Sequence, residues 1–535
     1  MIMFFTSEIK TARTGEAQRK NRFRQFMGVT ALLCFCAMSG CNRGKNPGEP
    51  GTVNFLIESA PTNLDPRIGV DAFSEHLDGL IFDSLVGHDQ QLSIVPDLAA
   101  KWETPNPTTY VFHLKPNVRF HDGHPLTSAD VEFTFDSIAS GAVKTAKAGS
   151  FRIIQSIETP DPMTVIFRLR EPYASFLWDL TKPGIGIVPQ GSGPELAQHP
   201  IGTGPFQFVS ATADEEILLE RNPTYFGGAA DIPRVRFRIV PDAIVRALEL
   251  RKGTGDVTVN SLTPDMVMGF QDDHNIAIED RPGTVLAYIA FNFDDPILAR
   301  REVRQALAYA TDRSTLIDNL LRGMARPAGS LLPANHWAYE AKVQQYDYNA
   351  QQAERLLDTA GFRRGQDGIR FHLTLKTSTD QSTRLLSEAI ADEWKKVGVA
   401  LDLRSLEFAT FYSDITHGSF QLFTLRLVGG NNDPDIFEYV FSSKKTPPNG
   451  ANRGHYKNPQ LDTLLDQARA EMDREKRRAL LSQIQTIIAV DEPFINLWYV
   501  DNACVRRRRL TNVVLPPAGD FDFLNLARLQ EPSTR

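Results

Sequence analysis

His121-Asp122-Gly123-His124 sets two imidazoles three positions apart around a carboxylate, a combination that suits a divalent metal. The same residues make an ordinary polar turn, and no second His, Cys or carboxylate cluster completes a ligand set, so the sequence predicts no metal site. Ser442-Ser443-Lys444-Lys445 contains a Ser-x-x-Lys, the spacing of a serine nucleophile and a lysine base. Its Ser-Asp-Asn and Lys-Thr-Gly companions are absent, and a solvated polar turn explains it. The Gly-x-Gly pairs at 184–186 and 202–204 do not complete a dinucleotide fingerprint. Neither a phosphate-cradling Gly-x4-Gly-Lys-Ser/Thr loop, nor His-Glu-x-x-His, nor a Gly-x-Ser-x-Gly elbow occurs. With no nucleophile–base pair in view, the sequence predicts a non-enzyme without a cofactor. The basic run Arg506, Arg507, Arg508, Arg509 lies between apolar stretches at 498–505 and 513–515, and is expected to expose its cations beside two strands.

The cysteines divide by position. Lys10, Arg13, Arg19, Lys20, Arg22 and Arg24 precede an apolar run at 26–38, too short to span a bilayer but of signal-peptide size. The run ends Met38-Ser39-Gly40-Cys41, which resembles a bacterial lipobox, and a Gly/Pro-rich polar tether follows at 42–51. Residues 1–40 are therefore expected to be a lipoprotein leader, and Cys41 to carry lipid. Without 1–40 the chain keeps 52 basic and 63 acidic residues, a net charge of −11. That balance does not favour a nucleic-acid partner. Only Cys504 then remains unassigned, and it is expected to be a buried apolar residue.

The length, 535 residues with 42% apolar and 23% charged, calls for more than one domain core and excludes a collagen-like, wholly disordered or polytopic membrane protein. Strand and helix patterns interleave, which predicts an α/β fold. Phe371, Leu373 and Leu375 alternate. Leu385, Leu386, Ala389, Ile390, Trp394 and Val397 take helical spacing up to Gly398, and then Val399, Leu401 and Leu403 alternate again. That is a βαβ unit with parallel strands. Further helices are expected at 350–360, 461–470, 474–489 and 303–310, with Asp312 or Ser314 capping one more. Tyr110, Phe112 and Leu114 alternate as in a strand.

Several stretches, in order, resemble the extracytoplasmic solute-binding proteins of oligopeptide, dipeptide and nickel ABC importers. The most specific is Phe291-Asn292-Phe293-Asp294-Asp295-Pro296 followed by Val303-Arg304-Gln305-Ala306-Leu307 and Ala310-Thr311-Asp312-Arg313. Asn63-Leu64-Asp65-Pro66, Phe82-Asp83-Ser84-Leu85, Pro96-Asp97-Leu98-Ala99, Phe120-His121-Asp122-Gly123, Gly202-Thr203-Gly204-Pro205-Phe206 and Arg221-Asn222-Pro223 agree with it. The resemblance spans nearly all of 52–530.

It implies a periplasmic-binding-protein-like α/β architecture: two lobes around a ligand cleft, joined by crossovers near 287–293 and 496–500, with a third domain inserted in the first lobe. The corresponding division is 52–90, 190–287 and 495–535 for lobe one, 91–189 for the insertion and 288–494 for lobe two, after the leader and the 41–51 tether. It implies a small-molecule or peptide ligand, ABC permease subunits as partners, and a monomer tied by lipid to the periplasmic or cell-surface face of a bacterial membrane. A secreted hydrolase, or a non-transport binding or signalling protein on the same scaffold, is the alternative. For the pocket, the resemblance implies a ligand-facing strand edge at Asp71, Ala72 and Phe73. The opposing wall would be the loop that carries Arg426, Val428, Gly429, Gly430, Asn431, Asn432 and Asp433. Arg426 is the nearest cation for an anionic ligand group, or else an exposed strand-end charge. Peptide-binding members carry an aspartate three residues before the acidic-Pro pair and a tryptophan three residues before that. Gly430 and Leu427 stand there in this chain, so the usual partner of a peptide's α-ammonium is missing. Asp433 or Asp435 substitutes for it, or caps a turn.

Overall fold

The computed structural model describes residues 51–89, 92–181, 185–428 and 432–530. An eleven-stranded mixed sheet runs through the molecule. Its order is Val399–Leu406, Phe371–Ser378, Leu422–Leu427, Ile276–Phe291, Phe494–Arg507, Val257–Val259, Thr52–Ile57, Arg234–Ile239, Glu216–Arg221 and Phe206–Thr212, with Ala325–Pro327 also paired to Phe494–Arg507. Two long antiparallel strands, Ile276–Phe291 and Phe494–Arg507, run through both halves of the sheet. Their pairing slips between Arg281 and Val285, opposite 500–502. Beyond the slip their partners change. On one side Val257–Val259 pairs with Cys504, Val505 and Arg506, and on the other Leu422–Leu427 pairs with the 286–291 half.

The side-chain alternation of a strand builds the second lobe. Ala287, Ile289 and Phe291 enter one core, with Val303, Leu307, Trp394 and Ile495. Leu286, Tyr288 and Ala290 enter the other, with Phe411, Phe437, Leu461 and Ile484. The first lobe closes over Val53, Phe55, Phe237, Val257 and Phe521. A separate antiparallel sheet, ordered Ala99–Asn106, Thr109–Leu114, Thr164–Leu169, Ile154–Asp161, packs its own core against the helix Ser128–Ala139.

The 371–406 unit forms as expected. Phe371–Ser378 and Val399–Leu406 pair in parallel with Phe371 opposite Val399, around the helix Gln381–Lys396. Leu385 is 47% exposed and is not part of that core. The helix Ala350–Thr359 is followed by Gly361 at φ +86°, the left-handed stop that glycine allows. Helix Arg301–Tyr309 buries Val303, Ala306 and Leu307, and Asp312 caps Arg313–Leu320 by accepting from the Thr315 amide. Cys504 is fully buried, and burial pushes its thiol up to about 12.

Two expectations are corrected. Asp71, Ala72 and Phe73 are not a strand edge: Asp71 is the N-cap of the helix Ala72–Ile81, whose Leu77, Leu80 and Ile81 are buried. The 506–509 run does not simply expose its charges. Arg506 pairs with Glu279 at 2.7 Å, and Arg509 grips both carboxylate oxygens of Asp256 at 2.7 Å.

Candidate ligand cleft

Strand direction locates the cleft. In the second lobe Phe371–Ser378 is parallel to both Val399–Leu406 and Leu422–Leu427. Leu427 pairs with Leu286, beside the slip in the long strands, so the carboxyl ends of this parallel group point there. In the first lobe Thr52–Ile57 is parallel to Arg234–Ile239 and to Val257–Val259. Val259 pairs with Cys504, nearer the slip than Val257, which pairs with Arg506. Both parallel groups thus end toward the slip, and the crevice outside the carboxyl ends of such strands is where α/β sheets hold ligands.

On the first lobe Asp71 is half-buried. It accepts hydrogen bonds from the amide and hydroxyl of Ser74 and from the amide and hydroxyl of Thr62. Burial acts to raise its carboxyl, but these bonds outweigh it and hold the group below its ordinary value. Ala72 is exposed, and Phe73 is partly buried against the first-lobe core.

On the second lobe Arg426 is exposed at the end of its strand, opposite Ala287, and Val428 is 66% exposed. Gly429, Gly430 and Asn431 lie outside the described residues, as does Cys41. Asn432 is buried; its carbonyl lies 3.2 Å from His336 Nε2, while its side-chain oxygen finds no hydrogen-bond partner among the described residues. Burial takes the His336 imidazole down to about 4, so it is neutral. Asp433 Oδ1 accepts from Ser175 Oγ at 2.7 Å and from the Asp435 amide at 2.8 Å, which is the geometry of a turn cap. Burial raises the Asp433 carboxyl, and Arg477 opposes the shift. No hydrogen bond or ion pair between described residues joins the Asp71 group to the Arg426 group.

Sequence reasoning passed over residues 408–416, which follow the 371–406 unit. The helix Phe408–Thr416 follows Val399–Leu406 directly and exposes two aromatics, Phe408 at 56% and Tyr412 at 42%, their rings 5.9 Å apart and near parallel. Arg453 lies over the Tyr412 ring at 5.2 Å and donates to its hydroxyl at 2.9 Å. Exposed aromatics beside a cation form a surface for a ligand with both apolar and anionic parts. The available signal was the pair Phe408 and Tyr412 at i, i+4 immediately after the βαβ unit.

The other recurrent stretches hold the first lobe together. Asp83 Oδ2 accepts from Thr203 at 2.6 Å and Asp83 Oδ1 from Tyr225 at 2.9 Å; burial nonetheless raises the carboxyl to about 6. His121 Nε2 sits 3.0 Å from the Gly204 carbonyl, whereas His124 faces Asp122 at 2.9 Å, so the two imidazoles do not converge. Among the described residues no three His, Cys, Asp or Glu side chains are placed to hold a metal ion.

Residues 93–449 match the model of the bacterial extracellular solute-binding proteins, family 5. The chain belongs to that family. A putative ABC transporter peptide-binding protein of Brucella ovis is 31% identical over 521 residues, 93% of this chain and 97% of the relative. The dipeptide-binding protein of Escherichia coli is 27% identical over 508 residues, 89% and 94% of the two chains. Among solved structures, NikZ from Campylobacter jejuni in complex with Ni(L-His) superposes with a TM-score of 0.76 at 26% identity, covering 90% of this chain and 99% of that one. Family 5 consists of extracytoplasmic binding components of ABC importers, and this member shares their two-lobed fold. Among its described residues no helix is long and apolar enough to cross a membrane.

Proposed function

We propose that this family 5 protein captures a carboxylate-bearing polar solute, a peptide or another small molecule, between its lobes and delivers it to an ABC permease. The observations that carry this reading are the carboxyl-end crevice with Arg426 at its second-lobe rim, and the exposed Phe408 and Tyr412 with Arg453 elsewhere on the same lobe. The aromatic pair takes an apolar or flat portion, and the arginines take an anionic group. A relative named for dipeptides and a neighbour holding Ni(L-His) support a cleft that accepts amino-acid-like ligands. Binding without bond making suffices: a ligand that prefers the closed form shifts the population toward it, and the permease reads that form.

The free α-ammonium of an unmodified peptide finds no aspartate at position 430, where Gly430 stands, and burying it unpaired is costly. Unmodified di- and oligopeptides therefore bind weakly. Native mass spectrometry of freshly purified protein identifies the co-purifying solute, and calorimetry compares peptides with their N-acetylated forms. Tight binding that needs a free amino terminus overturns the expectation of weak peptide binding, and its loss in Asp433→Asn would show that the ammonium's partner has moved along the loop.

The lobe division given above, a monomeric state, and anchoring through lipid on Cys41 belong to the same reading. Three acyl chains exceed the reversible binding of a single one. Cys41→Ser is expected to abolish labelled-palmitate incorporation, and unchanged labelling rules the anchor out.

A further inference from the structure

The helix Arg474–Asp491 ends on Glu492, which takes the left-handed conformation at φ 45°, where glycine is the ordinary choice. The side chain kept there is 5% exposed, and its carboxyl makes no hydrogen bond or ion pair among the described residues. It lines a second-lobe cavity of about 130 Å³, together with Arg313 and Asn496. Arg313 Nε donates to the Asn496 carbonyl and Nη1 to the Tyr346 carbonyl, both at 2.7 Å, which leaves Nη2 without an acceptor among the described residues. Asn496 Oδ1 is buried and has no donor. Other polar groups on the wall are already paired: Ser330 donates to Gln485 Oε1 at 3.0 Å, and the Tyr346 hydroxyl to the Ala489 carbonyl at 2.7 Å. Asp347 stands exposed at the rim. The cavity lies apart from the crevice. Asn496 pairs with Tyr288 and Pro327 with Trp498, in the second-lobe half of the long strands, whereas the crevice opens at the slip opposite 500–502.

We propose that this cavity is a second binding site, for a small α-amino acid zwitterion, with the ligand's carboxylate on Arg313 Nη2 and its ammonium on Glu492 and Asn496 Oδ1. A buried carboxyl and a half-used guanidinium share one wall yet form no ion pair with each other, and leaving either unmatched is costly. A ligand with both charges answers both groups through charge-assisted bonds. A simple cation would leave Arg313 Nη2 free, and a simple anion would leave Glu492 free. Size narrows the class further. A cavity of about 150 Å³ admits benzene, so about five or six heavy atoms fit here, which is glycine or alanine and not a peptide.

Binding at this site is expected to depend on pH. Burial lifts Glu492 to about 8 in the free protein, although the charges of Arg313 and Arg304 oppose the shift. The other titratable groups facing it are Tyr346 and, through Arg313, Asp347 and Glu393. An ammonium beside Glu492 favours its ionised form. Binding below about pH 8 therefore releases a proton, and affinity rises as pH climbs toward that value.

Calorimetry of the dialysed full chain with glycine, acetate and methylamine tests this. Glycine is expected to bind roughly 50-fold more tightly at about pH 8 than at about pH 6, the ratio of ionised Glu492 at the two values. Acetate and methylamine, each carrying half of the zwitterion, should bind at least about tenfold more weakly than glycine. Glu492→Gln should weaken glycine by at least about tenfold at about pH 8 and flatten the pH dependence. Asn496→Ala keeps the acid, so it should weaken glycine by roughly three- to tenfold and preserve the pH dependence; it carries the test if the glutamine variant folds poorly. Absence of glycine binding up to about 10 mM means that the cavity holds water only, and overturns the proposal. So does glycine binding that both substitutions leave unchanged, since the site is then elsewhere, or methylamine or acetate binding as tightly as glycine. Because these readouts sit on Glu492 and Asn496, their failure leaves the crevice reading untouched.

Discussion

Arg304 shows how much one buried side chain can tie together. Its guanidinium donates to the carbonyls of Leu298 and Ala299 on its own side and of Asp491 and Glu492 across the lobe, and it lies 4.3 Å over the Phe293 ring. Burial lowers the guanidinium to about 10. A lysine has one nitrogen where arginine has a planar fork, so Arg304→Lys leaves several buried carbonyls without donors and is expected to cost about 3 kcal/mol. Arg301→Lys, three residues earlier and half exposed, should stay within about 0.5 kcal/mol of wild type. Equal urea midpoints for the two variants would refute this account of Arg304. The sequence displayed the apolar face of this helix through Val303, Ala306 and Leu307, but not this role. The carbonyls that Arg304 meets lie up to 188 positions away, and Asp256 lies 253 positions from Arg509, whose charge looked free for the same reason.

At the scale of elements, legibility followed periodicity. The 371–406 unit announced itself because its strands alternate and its helix keeps one face. The sixteen-residue strand Ile276–Phe291 did not, because Pro282 and Gly283 interrupt its pattern where the pairing slips. Helix Ala72–Ile81 carried a readable signal, Asp71 followed by Ser74 and then Leu77, Leu80 and Ile81, which the expected strand edge obscured. That helix ends against Gly204, where a Cβ would lie 2.6 Å from the Leu80 carbonyl oxygen and from the Ile81 carbonyl carbon. Backbone cannot yield as a flexible side chain can, so Gly204→Ala is expected to destabilise by about 3 kcal/mol. Gly149→Ala meets no neighbour within 4 Å and should be neutral or stabilise by about 0.5 kcal/mol, since alanine favours the helix. Calorimetric melting of both separates close packing from a general intolerance of glycine replacement. A Gly204 variant that melts with wild type would show that the helix end can shift.

Across the whole molecule, buried acids set the response to pH. Burial raises Asp83, Asp435 and Asp501 to about 6, Glu393 to about 7 and Glu492 to about 8. Each binds its proton more tightly folded than unfolded, so stability falls as pH rises from the ordinary carboxyl range through these values, a loss complete above about pH 8. His336, lowered to about 4, and His121, also lowered by burial, act oppositely. They stay neutral in the fold and protonate on unfolding, so they cost stability as pH falls below about 6.5. The melting temperature is therefore expected to fall from about pH 5 to about pH 8, and Glu492→Gln should raise it by a few degrees at about pH 9 with little effect at about pH 5. A curve that climbs steadily from about pH 6 to about pH 8 would contradict the balance of buried charges.

The strand Phe494–Arg507 lies in the middle of the large sheet and is used twice. Its first half lines a second-lobe core through Ile495, Leu497 and Trp498, and its second half pairs with Val257–Val259 in the first lobe. Both lobes consequently wait for the same fourteen residues, which are made late. As the chain emerges during synthesis, neither lobe can finish ahead of the other. Val257–Val259 and Ile276–Phe291 remain open edges until the last tenth of the chain arrives, and open edges invite misplaced pairing. Assembly of this fold is thus coupled through one shared strand rather than proceeding lobe by lobe.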